Sequence, residues 1–88
     1  MAGTQASTQK AYIFNVTPNP GSGIFNLTAN AMDDKAMLYV EDMFGKNIFQ
    51  QKVNNYKTTL NLNNLPKGVY FVKYFCYNTM QSKKVIIQ

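Results

Sequence analysis

Acid–base and nucleophilic chemistry near neutral pH needs histidine, paired carboxylates or an activated thiol. The 88-residue chain holds four acidic residues, one cysteine and no histidine. Asp33 and Asp34 are adjacent in a polar stretch with Asn30 nearby, which points toward a hard cation. Ca²⁺, however, takes about six to eight oxygen ligands, and this stretch offers few, so it is read as a solvated turn. Glu41 and Asp42 are sequence neighbours, and on a strand neighbours face opposite sides. They therefore do not form a glycosidase pair, and Asp42 is read as the start of a turn. Cys76 lies among aromatic residues without a histidine, arginine or helix N-terminus to lower its pKa. It reads as a buried, inert thiol whose change to Ser leaves function intact. One cysteine allows no internal disulfide, and without histidine it builds no zinc site. The chain is accordingly expected to be no enzyme, with no catalytic, cofactor-binding or metal-binding residue and no cofactor.

The positive charge invites a different chemistry. Nine lysines give a net charge of +5 with no arginine, and lysine lacks the planar fork that reads phosphates and bases. Tyr70, Phe71, Tyr74, Phe75 and Tyr77, interleaved with Lys73, resemble a base-stacking platform in composition. Core packing of a central strand explains them better, so no nucleic-acid partner is expected. No run approaches the roughly 20 apolar residues of a membrane span, and no membrane insertion is expected. MAGTQASTQK lacks the apolar region of a signal peptide. Residues 1–11 are read as a linker remnant beginning with a cloning scar, which makes the chain a piece of a longer protein. The sequons Asn15-Val16-Thr17 and Asn26-Leu27-Thr28 arise readily by chance in an Asn- and Thr-rich chain and are assigned no role.

The elements that must position any site are short. With 45% hydrophobic and 15% charged residues, the composition is that of a folded domain, and this length has room for one. Residues 12–88 form it. Runs of β-branched and aromatic residues recur between turn signals every eight to twelve residues, the pattern of an antiparallel sandwich or barrel. The expected strands are Tyr12 to Val16, a run centred on Phe25, Leu27 and Ala29, Ala36 to Met43, Ile48 to Val53, Thr58 to Leu62, Val69 to Tyr77, and Ser82 to Ile87. Pro18, Pro20, Gly21 and Gly23 interrupt the sheet after the first. Tyr70, two residues after the Pro66-Lys67-Gly68 turn, fits a tyrosine corner, in which the hydroxyl bonds back to upstream backbone; the alternative is an ordinary turn followed by a core tyrosine.

Four motifs taken in order, FNVTPNPGSGIFNL, YVEDMFGKNIF, LNLNNLPKGVYFVK and KKVIIQ, resemble the type A C-terminal sorting domain of the type IX secretion system (the Por secretion system) of Bacteroidota. The resemblance covers Phe14 to Gln88. It implies an all-β, immunoglobulin-like, seven-stranded antiparallel β-sandwich of Greek-key type. It also implies a non-catalytic role at the C-terminus of an exported enzyme or adhesin, whose passage across the outer membrane the domain directs. The implied partners are the type IX translocon, an outer-membrane shuttle protein and a sortase-like cysteine peptidase that cuts before the domain, with an N-terminal cargo domain in the full-length protein. The implied location is the periplasm in transit, then the cell surface or the medium.

By the same resemblance, the family's first turn falls on Pro18, Asn19, Pro20 and Gly23. Its hairpin falls on Gly45 and Lys46, and its penultimate motif on Leu65, Gly68 and Tyr70. The recognition strand falls on Lys83, Lys84, Val85, Ile86, Ile87 and Gln88, and the cleavage junction before Tyr12. Phe44 departs from the family's commoner Leu, and YFCYN is more aromatic than usual. An outer strand offers unpaired backbone groups to which a receptor adds a strand, with Lys83 and Lys84 supplying charge contacts. Such edges also allow strand exchange, so the expected state is a monomer or a strand-exchanged dimer. A competing reading is a carbohydrate-binding or adhesive sandwich module using Tyr39, Tyr56 or Tyr77.

Overall fold

Phe25 and Leu27 are buried while Asn26 and Thr28 are exposed, as a period of two on a one-sided strand requires. The computed structural model describes residues 12–88, and the same alternation shapes most of its strands. They are β1 (Phe14–Thr17), β2 (Ile24–Ala29), β3 (Met37–Asp42), β4 (Asn47–Lys52), β5 (Lys57–Asn61), β6 (Gly68–Cys76) and β7 (Thr79–Ile87). All pair antiparallel, in a three-stranded sheet of order β1-β2-β5 and a four-stranded sheet of order β4-β3-β6-β7. The chain changes sheet between β2 and β3, between β4 and β5, and again between β5 and β6, so β2 pairs with β5 and β3 with β6 although neither pair is consecutive in sequence. This is the Greek-key, immunoglobulin-like sandwich expected from the sequence. The expectation for residues 1–11 lies outside the described residues.

The two inner faces meet in one core. Phe14, Phe25, Leu27 and Leu60 of the smaller sheet face Leu38, Val40, Val72, Tyr74 and Val85 of the larger. β6, buried at every second residue from Tyr70 to Cys76, is the central strand its composition indicates. β4 has no fully buried residue, and a bulge opposite Val40 and Glu41 interrupts its register, as edge strands often show.

The last two strands depart from the sequence reading. β6 stops at Cys76, and β7 begins at Thr79 rather than Ser82, because Tyr77 and Asn78 both take positive φ, 53° and 58°, and make a two-residue turn. Positive φ at both central positions defines a type I′ hairpin turn, where Asn is common and Tyr is not. The run Thr79–Ser82 thus forms the first half of the nine-residue β7 instead of a break.

Candidate functional site

All four motifs gather at one end of the sandwich. β6 starts there and β7 finishes there, with Gly68 opposite Ile87 and Tyr70 opposite Val85. On the other flank Tyr70 pairs with Asp42, which places the β3–β4 hairpin beside the Leu65–Gly68 corner. Gly23 joins them through its carbonyl, which accepts from the Leu62 amide at 2.7 Å. The opposite end holds Tyr12 and the Tyr77-Asn78 turn.

Each motif turn has a local cause. In the hairpin, Asp42 Oδ1 accepts from the amides of Phe44 and Lys46 at 2.9 and 3.0 Å. The Asp42 carbonyl accepts from the Gly45 amide at 3.0 Å, and Gly45 takes φ +84°, the left-handed position that closes such a loop. Asp42 does start a turn, and it is the turn's principal acceptor. At the corner, the Tyr70 hydroxyl donates to the Pro66 carbonyl at 2.6 Å, the upstream bond of a tyrosine corner. Phe44 and Met43 project from the hairpin tip, 89% and 63% exposed. Together with Lys67 and Val69 they line a shallow cleft against the corner.

The Pro18–Gly23 loop has the least ordinary job. Asn19 Nδ2 donates to the Lys84 carbonyl at 2.8 Å, and the Ile86 amide donates to Asn19 Oδ1 at 3.0 Å. Two residues on, the Gly21 amide donates to the Ile86 carbonyl at 2.9 Å and its carbonyl accepts from the Gln88 amide at 2.8 Å. The loop therefore runs parallel to β7 along its outer edge, with Gly21 opposite Ile87. The sequence predicts an unpaired edge here; between Lys84 and Gln88 the chain itself occupies it. The Thr17–Pro18 and Asn19–Pro20 peptide bonds are cis.

The six residues from Lys83 to Gln88 do not present themselves alike. Val85 and Ile87 are buried in the core. Lys83 lies on their side of the strand and places its ammonium 5.9 Å from the centroid of the Phe14 ring, an inward-pointing charge of the kind that guards edge strands. Lys84 and Ile86 face outward, beside Phe71 and Val69 of β6. Of the two lysines, only Lys84 sits on the outer face.

Several structural residues escaped the sequence reading. Tyr12 is buried, and its hydroxyl lies between the carbonyls of Tyr74 and Thr79, at 2.8 and 2.7 Å. Its own carbonyl accepts from Gln81 Nε2 at 2.7 Å. Burial pushes the Tyr12 hydroxyl pKa upward, aided by nearby Cys76 and Asp33. Tyr74, whose hydroxyl donates to the Ala31 carbonyl at 2.6 Å, is raised further, again chiefly by burial. Asp33 Oδ2 accepts from the Tyr77 amide at 3.2 Å while Oδ1 accepts from Lys35, so one carboxylate ties the β2–β3 loop to the β6–β7 turn. The signal for such contacts is weak, because an Asp or Asn in a loop shows which chemistry it offers but not which distant strand receives it.

The remaining candidates are dispersed. Glu41 pairs with Lys73 at 3.0 Å on the outer face, and Cys76 is buried as a thiol at the end of β6. Tyr39, Tyr56 and Tyr77 lie on β3, the β4–β5 connection and the β6–β7 turn. Among the described residues, no group of three or more His, Cys, Asp or Glu gathers for a metal ion, and no helix is long and apolar enough to cross a membrane.

Residues 15–88 match the family model for the secretion system C-terminal sorting domain. No curated protein sequence matches the chain. Among solved structures, the chain is similar to one in the complex of the pro- and mature domains of RgpB from Porphyromonas gingivalis. The TM-score is 0.69 at 15% identity, over 91% of this chain and 19% of that one. At that identity the likeness speaks for the fold alone.

Proposed function

The chain belongs to the secretion system C-terminal sorting domain family, and on that premise we propose that residues 12–88 direct an N-terminal cargo across the outer membrane through the motif-bearing end of the sandwich. The family role is that of a type IX secretion sorting signal, which implies export to the cell surface or the medium. The finer reading has the domain pass through the periplasm with its cargo. It is recognised there by the translocon and its shuttle protein, and a sortase-like peptidase removes it by cutting upstream of Tyr12. The domain is the substrate of that cut, and its own chemistry is recognition.

One observation carries the assignment of the site. The loop at Pro18–Gly23, the hairpin at Gly45 and Lys46, the corner at Leu65–Tyr70 and the strand at Lys83–Gln88 are far apart in sequence yet form one continuous end. Folding alone does not require every sequence motif to lie at the same pole. Within that end, Lys84 and Ile86 offer their side chains outward while Val85 and Ile87 hold the core. Deleting Lys83–Gln88 would remove core residues together with any recognition, so it cannot separate the two. A double substitution, Lys84→Glu with Ile86→Ser, spares the core.

The test is a reporter enzyme with an export leader, fused ahead of residues 12–88 and expressed in a bacterium that has type IX secretion. The unaltered fusion should reach the cell surface or the medium. The double variant should accumulate in the periplasm with the domain still folded. Equal export of both would remove Lys84 and Ile86 from the site.

A further inference from the structure

The four hydrogen bonds along the outer edge of β7 show what that edge is built to receive. In order along the strand, the Lys84 carbonyl accepts, the Ile86 amide donates, the Ile86 carbonyl accepts and the Gln88 amide donates. That is the evenly spaced pattern of a parallel ladder. Gly21 fills the second half with its main chain, as a strand residue would. Asn19 fills the first half with its side chain, and a carboxamide is one of the few side-chain groups that carries both the donor and the acceptor of a peptide unit. Asn19 stands opposite Val85 as Gly21 stands opposite Ile87.

This substitute strand is poorly equipped to hold its place. Pro18 and Pro20 flank Asn19 and have no N–H to donate, so the ladder cannot extend through the loop. Asn19 is exposed, and its two bonds can exchange with water. The upstream half of β7 is guarded by other means. Gln81 is tied to the Tyr12 carbonyl, and the Lys83 ammonium points inward over Phe14. Only Lys84–Gln88 combines a regular ladder pattern with a weak occupant.

We propose that Lys84–Gln88 is a latent strand-acceptor site, latched by Asn19 and Gly21, whose partner is an extended polypeptide segment that runs parallel to β7 and takes over their four hydrogen bonds. Backbone pairing supplies the affinity in such strand addition, and the side chains flanking the edge supply the selection. The site lies inside the recognition stretch argued above and so rests on that reading for its biological use. Its existence can be tested without any secretion machinery, so failure of one idea is separable from failure of the other.

The experiment uses the full chain labelled with nitrogen-15. In Asn19→Ala, hydrogen exchange at the Ile86 amide should rise by about tenfold, the size expected when one net hydrogen bond is lost. The amides of Val85 and Ile87, which face β6, should keep their protection and report an intact fold. A short capped peptide of alternating threonine and valine is then titrated. In the variant it should shift the resonances of Lys84–Gln88, and in the unaltered chain it should shift none of them. Unchanged exchange at Ile86 would overturn the latch. Peptide shifts confined to β4 or β5, or no shifts at all in the opened variant, would overturn the acceptor. If Asn19→Ala fails to fold, Asn19→Asp, which removes only the bond donated to the Lys84 carbonyl, carries the same titration.

Discussion

The ring of Tyr12 stands edge-on to that of Tyr74, with centroids 5.5 Å apart and planes at 86°. The geometry is the T-shape that aromatic pairs favour, and it brings the first described residue onto the central strand. Removing the Tyr12 hydroxyl with Phe keeps the ring contact but loses the bonds to Tyr74 and Thr79. The expected cost is about 1–2 kcal/mol. Tyr12→Ala also opens a cavity and should cost about 3–5 kcal/mol. Urea unfolding of the three proteins measures both differences, and equal stability of the Phe variant would mean that the hydroxyl bonds contribute nothing.

Alkaline pH should find the same pair. Both hydroxyls are raised above the ordinary tyrosine value of 10.0, chiefly by burial, so the folded state holds protons that the unfolded chain releases. Their contribution is fully present below the unfolded pKa and is lost as pH climbs through the folded values. Stability is therefore expected to be unaffected by these groups up to about pH 9 and to fall above about pH 10. Denaturant midpoints measured along this range give the slope, and Tyr12→Phe should make the decline shallower.

Much of this architecture is legible in the residues. Phe25 with Leu27, and Leu60 with Leu62, alternate with polar neighbours, and proximity in sequence is enough to assign their inward face. The Asp42 turn and the Tyr70 corner are local as well, closed within four residues. Asn19 and Tyr12 are a different case, since their partners lie more than sixty residues away. No periodicity encodes that distance. The start of β7 was hidden for another reason, because a Tyr at positive φ violates the residue preference by which I′ turns are read.

Two turn glycines should differ in a way their shared positive φ does not reveal. At Gly23, φ is +124° and an added Cβ would lie 2.9 Å from Asn63 Oδ1 and 3.1 Å from its Cα. At Gly45, φ is +84° and the same Cβ would meet nothing. Gly45→Ala should cost only the left-handed backbone penalty of about 1–2 kcal/mol. Gly23→Ala adds a clash with main chain and should cost more, about 3 kcal/mol or above. Thermal unfolding ranks them, and the reverse order would contradict the crowding at Asn63.

Tyr70→Phe isolates the corner. The bond to Pro66 is partly buried, and its loss should cost about 1 kcal/mol while the ring keeps its place in the core. Amide exchange at Lys67–Tyr70 should quicken more than exchange at Val72–Cys76. Uniform quickening along β6 would show that the hydroxyl secures the whole strand rather than its entry.

The loop lying parallel to β7 also decides how the molecule bears a pull. Tyr12 and Gln88 lie at opposite ends of the sandwich, so tension between them is directed along the strands. The bonds from Asn19 and Gly21 to Lys84, Ile86 and Gln88 would then be loaded sideways and together, and would have to fail as a group. Drawn apart instead between Tyr12 and the Tyr77-Asn78 turn, which share the opposite end, the domain would yield at the bonds of Tyr12 with Tyr74, Thr79 and Gln81, which take the strain one after another. The same fold would thus be stiff toward one direction of traction and compliant toward another.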